Sequence, residues 1–303
     1  MINHFISQRL TTRPGIISIR FLTPLLISLF LLFPASGCTS IQDHEVLSLH
    51  MIDVGQGDSF LITTPAGKAL LIDAGDPAQG DRVSAYLKQQ KVQHIDHLIA
   101  THPHADHIGG MKTVIDTFSV SQAYLPPVVH TSALFESMLN SLQHNSIPLT
   151  LVGETVVVHQ EQDVVIQILS TGKDYINHLN NWSLVVHVTH GHHSFLLTGD
   201  LEKEGEEDLL AAFHPNALRA TVLKAGHHGS ATSSTEAFLD AVAPEIVLIS
   251  CGEVNTYGHP DESVLDRIEK RSAWIYRTDL QGTVVITSDG ESVYSHLSPW
   301  NLH

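Results

Sequence analysis

Four side chains able to bind a metal fall within six positions: His102, His104, Asp106 and His107, in the run Thr101-His102-Pro103-His104-Ala105-Asp106-His107-Ile108-Gly109-Gly110. The run follows a short apolar stretch, residues 97–100, that reads as a buried strand. A loop leaving such a strand can direct His102 and His104 into one pocket, while Asp106 and His107, at the start of the next helix, face the same space. Two adjacent ligand sets result. Imidazole and carboxylate donors without cysteine suit Zn²⁺ or Mn²⁺, and 22 histidines in the chain raise the expectation of a metal site. Asp200, in Thr198-Gly199-Asp200, closes the apolar stretch 195–197 and would be delivered to the edge of the core; an ordinary Gly-Asp turn is the alternative. His227 and His228 are neighbours, so they must divide a ligand role from a substrate role. We assign His228 to a metal and His227 to the leaving group or a substrate oxygen, as acid or electrostatic stabiliser, with the reverse allocation open.

These side chains need rigid elements behind them. Residues 46–54, 59–63 and 68–72 are β-rich, and Gly55-Gln56-Gly57-Asp58 and Pro65-Ala66-Gly67 between them read as hairpin turns, so an antiparallel meander opens the fold. Helical spacing follows at 81–91, 111–118 and 134–143. A second series has strands at 154–158, 164–169, 183–188 and 194–197, a helix at 203–213, then strands at 220–224, 246–250, 274–277 and 283–287 with helices at 235–242 and 262–270. Two β-rich halves with helices outside predict an α/β protein of the αββα sandwich type. With 303 residues, 43% of them hydrophobic, the chain can bury a large core, and no low-complexity linker or short repeat divides it.

The order H-x-H-x-D-H resembles the metallo-β-lactamase superfamily, and the resemblance runs from Val46 to about Ser288. Within it the chain is similar to the metal-dependent domain at the end of competence-type DNA-uptake proteins and to secreted phosphorylcholine-esterase relatives. Met51-Ile52-Asp53-Val54-Gly55-Gln56-Gly57-Asp58, Leu71-Ile72-Asp73-Ala74-Gly75, Leu223-Lys224-Ala225-Gly226-His227-His228-Gly229-Ser230 and Tyr257-Gly258-His259-Pro260 carry that likeness. The uptake proteins' membrane channel has no counterpart in the sequence, so the likeness concerns the hydrolase domain alone. It implies the metallo-β-lactamase fold and two divalent ions, Zn or Mn. His102 and His104 would bind one, Asp106, His107 and His228 the other, and Asp200 would bridge. Such ions, roughly 3.5–4 Å apart, can share a hydroxide nucleophile. Asp73 would orient the ligands, so Asp73, Asp106 and His227 are the expected catalytic residues; His259 is a further pocket candidate. One departure from the superfamily lies before residue 183. Many members supply a third histidine there, whereas this chain reads Asn177-His178-Leu179-Asn180-Asn181-Trp182-Ser183. Asn180 and Ser183 match the competence-like Asn-x-x-Ser pattern, and His178 is the alternative ligand.

Charge narrows the partners. The chain has 16 Lys and Arg against 32 Asp and Glu, a formal net charge of −16, which disfavours nucleic acid while leaving it possible. Arg9, Arg13 and Arg20 precede an apolar run over 21–33, too short and interrupted for a comfortable membrane span, so residues 1–37 read as an export signal. Ala35-Ser36-Gly37-Cys38 resembles a bacterial lipobox, with Ala35 where Leu is usual. Cys38 would then be the lipidated N-terminus, followed by a tether at 38–45, a hydrolase domain at 46–290 and a tail at 291–303. With Thr39 next, the expected place is the periplasmic face of an outer membrane. Only Cys251 then remains, so the mature chain would have no internal disulfide. The expected activity is hydrolysis of a small-molecule phosphodiester or phosphorylated substrate. A competence-type nuclease and a β-lactam or lactone hydrolase are the enzymatic alternatives; a non-catalytic metal-binding lipoprotein is the alternative of another class.

Overall fold

A computed structural model describes residues 46–301. The expected export signal, Cys38 and the 38–45 tether lie outside the described residues. Among the described residues no helix is long and apolar enough to cross a membrane. The strands are β1 (Leu47–Met51), β2 (Phe60–Thr63), β3 (Ala69–Ile72), β4 (His94–Ile99), β5 (Ser119–Leu125), β6 (Leu149–Leu151), β7 (Val156–Glu161) and β8 (Val164–Leu169). They continue as β9 (Val185–His190), β10 (His193–Leu197), β11 (Val222–Lys224), β12 (Ile246–Ile249), β13 (Trp274–Arg277), β14 (Val284–Ser288) and β15 (Val293–Ser295). The helices are α1 (Gly80–Gln89), α2 (Ala105–Ile108), α3 (Met111–Thr117), α4 (Ala133–His144), α5 (Lys203–Ala212), α6 (Pro215–Leu218), α7 (Glu236–Val242), α8 (Glu262–Glu269) and α9 (Thr278–Gln281).

Two mixed sheets form, in the orders β15-β14-β1-β2-β3-β4-β5-β6 and β13-β12-β11-β10-β9-β8-β7. Period-2 alternation explains why both faces of each sheet are covered. In β3, Leu70 and Ile72 enter the apolar layer between the sheets, while Ala69 and Leu71 turn outward to Val83, Leu87, Val114 and Phe135 of α1, α3 and α4. In β12, Ile246 and Leu248 join the same central layer, and Val247 and Ile249 pack outward with Leu209, Phe238 and Ile268 of α5, α7 and α8. The chain is therefore an αββα sandwich. Strands β3, β4 and β5 run parallel, as do β10 to β13. The loops leaving their C-terminal ends carry the chemistry-bearing residues.

Three expectations need correction. Gly55-Gln56-Gly57-Asp58 is no tight hairpin turn: β1 and β2 do pair antiparallel, but residues 52–59 leave the sheet, and the Asp58 N–H donates to the Asp106 carbonyl at 3.1 Å. A Cβ on Gly57 would lie 2.3 Å from that carbonyl oxygen, and its φ of +128° suits only glycine. Strands β5 and β6 were not foreseen, because Ser119, Ser121 and Gln122 break the apolar alternation of β5 and β6 is an exposed three-residue edge. Residues 291–301 are not a loose tail. β15 pairs with β14, Asn301 bonds the backbone of Ile275 and Ala273, and Trp300 lies 4.8 Å from the Arg277 guanidinium.

Candidate metal centre

One carboxylate oxygen is the meeting point of the site. Asp200 follows β10 and Gly199, whose left-handed φ of +52° and contact with Ser183 and Thr101 leave no room for a side chain. Its Oδ2 lies 3.1 Å from His107 Nε2, 3.3 Å from His228 Nε2, 3.8 Å from His102 Nε2 and 3.8 Å from His227 Nε2. Asp106 Oδ2 stands 3.3 Å from His228 Nε2, and His102 Nε2 stands 3.0 Å from His104 Nδ1. Two overlapping groups follow, Asp106-His107-Asp200-His228 and His102-His104-Asp200, each close enough to surround one ion. His107 Nε2 and His228 Nε2 are buried without hydrogen-bond partners. Such atoms are costly unless something satisfies them, and a cation in the group they share with Asp106 and Asp200 would do so. The residues fit a pair of divalent ions with nitrogen and oxygen ligands.

The far sides of the His107, His228 and His102 rings are held, which aims each Nε2 inward. His107 Nδ1 donates to Asp73 Oδ2 at 2.7 Å; buried Asp73 also accepts from the Thr101 N–H at 2.9 Å and the Thr101 hydroxyl at 2.6 Å. His228 Nδ1 donates to the Ser250 carbonyl at 2.9 Å. His102 Nδ1 lies 3.1 Å from Thr101 Oγ1 and 3.3 Å from Ser183 Oγ. His227 and His228 both take left-handed φ, 47° and 56°, in the 3₁₀ turn Gly226–Gly229. Conformations of that kind cost on the order of 1–3 kcal/mol each and persist where surroundings enforce them. Here they splay the adjacent rings: His228 is buried, and His227 faces the cleft with its side chain 24% exposed. His227 Nδ1 lies 3.2 Å from Glu202 Oε1, which accepts from the Thr232 hydroxyl at 2.9 Å. His227, His259, Tyr257, Gln56, His104 and Asp106 line a cleft of about 320 Å³ over the metal groups. The His259 ring stacks on His228 at 6.3 Å and 29° and meets His227 edge-on.

Burial opposes charge on His107 and His228, but the surrounding carboxylates, Asp200 foremost, outweigh it and raise both pKa values well above the ordinary histidine range. Burial likewise opposes charge on Asp200, and the His107 and His228 rings overcome it, holding the carboxyl well below its usual range. His102 goes the other way, because burial dominates and lowers its pKa well below the ordinary value. Burial, with His227 and His228 beside it, lowers His259 to about 4. The metal-free cluster therefore takes up protons at His107 and His228, where a cation would otherwise sit.

Of the remaining expected residues, Asn180 stands behind the cleft residue His227, its Nδ2 3.4 Å from both His227 Nδ1 and Glu202 Oε1. His178 does not join either metal group. It is exposed, caps the 3₁₀ turn Leu179–Trp182, and faces a groove with Glu202, Glu204 and Glu207; Ser183 Oγ takes the inner place, accepting from the Asp200 N–H at 3.0 Å. Lys224 is fully buried: its Nζ lies 2.7 Å from Asp58 Oδ2 and donates to the Gly199 carbonyl. Sequence reasoning missed this pair and Glu202. Lys224 ends the apolar strand Val222-Leu223-Lys224, and a cation in a buried strand demands an internal acid, so a signal was present. Among the described residues no lysine or arginine lines the cleft. A smaller cavity of about 110 Å³ lies beyond the Asn181-Trp182-Ser183 wall, among Pro126, Val152, Leu169 and Tyr175, and holds neither metal group.

Residues 52–253 match the family described as the metallo-beta-lactamase superfamily. The chain is 33% identical over 251 residues to ComE operon protein 3 of Bacillus subtilis, covering 77% of this chain and 32% of that protein. It is 32% identical over 236 residues to Competence protein ComA of Neisseria gonorrhoeae, covering 77% and 31%. The chain thus spans about a third of the length of these curated relatives. CmlA, a diiron β-hydroxylase from Streptomyces venezuelae, shares the fold with a TM-score of 0.52 and 13% identity, over 80% of this chain and 54% of CmlA.

Proposed function

The chain belongs to the metallo-beta-lactamase superfamily, whose fold is that of metal-dependent hydrolases, and from that premise we propose that it cleaves a small phosphodiester or phosphorylated substrate with the aid of two divalent ions, Zn²⁺ or Mn²⁺. The observation that carries the reading is the convergence of four imidazole Nε2 atoms on Asp200 Oδ2, with Asp106 alongside and an open cleft in front. His102 and His104 hold one ion, Asp106, His107 and His228 the other, with Asp200 shared. Ions there supply Lewis acidity towards the phosphoryl oxygens and lower the pKa of an attacking water. The protein's own residues do the rest. Asp73, Ser250 and Thr101 keep the ligand rings aimed, and His227, braced by Glu202, stands where it can give a proton to the departing oxygen. His259 and Tyr257 wall the cleft and limit how the substrate enters.

A second reading has specific support: the relative at 32% identity is a competence protein by name, which favours DNA as substrate. Against it stands the cleft, which among the described residues offers no lysine or arginine to follow a polyanion backbone. We rank the small phosphodiester first on that ground, and propose that lipid-modified Cys38 holds the domain at the periplasmic face of an outer membrane. The discriminating experiment is a screen of the Zn²⁺- and Mn²⁺-loaded protein against phosphodiester, β-lactam and lactone substrates. Turnover of phosphodiesters is expected; turnover confined to lactams or lactones would overturn the reading.

A further inference from the structure

Asp200 presents its two oxygens to different partners. Oδ2 faces the imidazole cluster, whereas Oδ1 faces the ammonium of Lys224 at 3.5 Å. Lys224 reaches that position from the end of β11, the parallel neighbour of β10, where it pairs with Leu197. Its own backbone carbonyl accepts from the Thr198 hydroxyl at 2.9 Å, and its Nζ donates to the Gly199 carbonyl, so it grips the turn that carries Asp200 on both sides. Asp58 holds the ammonium from the opposite sheet at 2.7 Å, and the Asp58 N–H is tied to the carbonyl of Asp106. Lys224, Asp58 and Asp200 are all fully buried. A buried ion pair contributes little to stability over a well-packed apolar pair, which leaves a role in placing its neighbours as the better account of its presence.

We propose that Lys224, held by Asp58, is the positioning residue that makes Asp200 a one-oxygen bridge: the ammonium occupies the Oδ1 side and leaves Oδ2 alone to serve both metal groups. Without it the carboxylate is free to turn and present both oxygens to a single ion, at the expense of the second. The inference rests on the metal-pair reading above but not on the substrate.

Two variants separate position from charge. Lys224→Met removes a cation beside the site, which by field alone would tighten binding of a dication. Lys224→Met combined with Asp58→Asn removes one charge of each sign, leaves the net charge of the site unchanged, and avoids stranding a buried carboxylate. Folding is checked by circular dichroism, metal content by elemental analysis and titration with Mn²⁺, and coupling between two Mn²⁺ ions by electron paramagnetic resonance. The wild-type protein is expected to take two ions with a coupled signal. The double variant should remain folded, bind the second ion at least about tenfold more weakly, within the range seen when groups supporting metal ligands are lost, and give the spectrum of isolated Mn²⁺. A folded double variant with two coupled ions at wild-type affinity would overturn the proposal, as would tighter binding in Lys224→Met or a wild-type protein that takes only one ion. Failure of phosphodiester turnover, measured separately, would count against the substrate reading and leave this one standing.

Discussion

His107 joins Asp73 and Asp200 through its two ring nitrogens, Nδ1 at 2.7 Å from Asp73 Oδ2 and Nε2 at 3.1 Å from Asp200 Oδ2. A proton on Nδ1 is fixed by the first contact, so the lone pair of the neutral ring must point at the second. The same logic applies to His228, whose Nδ1 is held by a carbonyl that can only accept. Asp73 and Ser250 therefore set which nitrogen of each ring is left free to meet a metal ion.

Asp106 and Asp200 should fail differently. Asp106 stands by His228 and belongs to one metal group, while Asp200 belongs to both. Asp106→Ala is expected to lose about one ion, and Asp200→Ala to disturb both, with activity abolished in each. Elemental analysis of the purified variants measures this. Equal losses in the two would contradict the shared role of Asp200. His178→Ala, being outside both groups, should keep its full metal content.

The raised pKa values of His107 and His228 fix the sign of a pH effect. In the metal-free protein both rings are protonated more readily than in the unfolded chain, where histidine has its ordinary value of 6.5. That contribution to stability is fully present below pH 6.5 and is lost as pH rises through the higher folded values. Metal binding must expel those protons and so strengthens over the same rise. Melting temperatures with chelator should therefore fall as pH rises above 6.5, as far as these groups decide them, and the stabilisation added by Mn²⁺ or Zn²⁺ should grow. Added stabilisation that is flat with pH would show that the rings carry no displaceable protons.

His227 is placed to act on substrate without being needed for metal. His227→Ala should lower turnover by about 10²–10⁴-fold, the usual worth of a positioned acid, with metal content little changed. Glu202→Gln should give a smaller loss, because Glu202 only braces the ring. Loss of an ion in His227→Ala would reverse the allocation of the two adjacent histidines.

The lipid anchor is tested at Cys38. Globomycin should block processing of the precursor, and Cys38→Ala should release the protein from the membrane fraction. Normal processing with membrane-bound Cys38→Ala would exclude the anchor.

Much of this site was legible in the sequence because local spacing encoded it. His102, His104, Asp106 and His107 needed only a strand and a short helix to converge, and the family likeness carried by Asp73, Asp200 and His228 is matched over residues 52–253. The antiparallel opening, the helices on the outer faces and the two β-rich halves were also readable, since apolar alternation marks any strand with a buried face. What could not be read was set by tertiary neighbours. Whether Lys224 lies on the surface or between sheets depends on Asp58, 166 positions away in the chain but 2.7 Å away in space. Glu202 and His178 sit on either side of one groove, and no period in the sequence says which of them turns towards the cleft. Strand β5 was hidden because its first half is polar and exposed.

The central claim is that a metal pair around Asp200 cleaves small phosphodiesters in a cleft with no cationic track. The direct measurement compares the Mn²⁺- or Zn²⁺-loaded protein on bis(p-nitrophenyl) phosphate and on linear DNA across a salt series, with Asp200→Ala as control. The account predicts metal-dependent release of p-nitrophenol that varies little with salt and vanishes in Asp200→Ala, and DNA degradation that is slow at physiological salt. Rapid, strongly salt-dependent digestion of DNA, also lost in Asp200→Ala, would contradict it and make the competence-type nuclease the better reading.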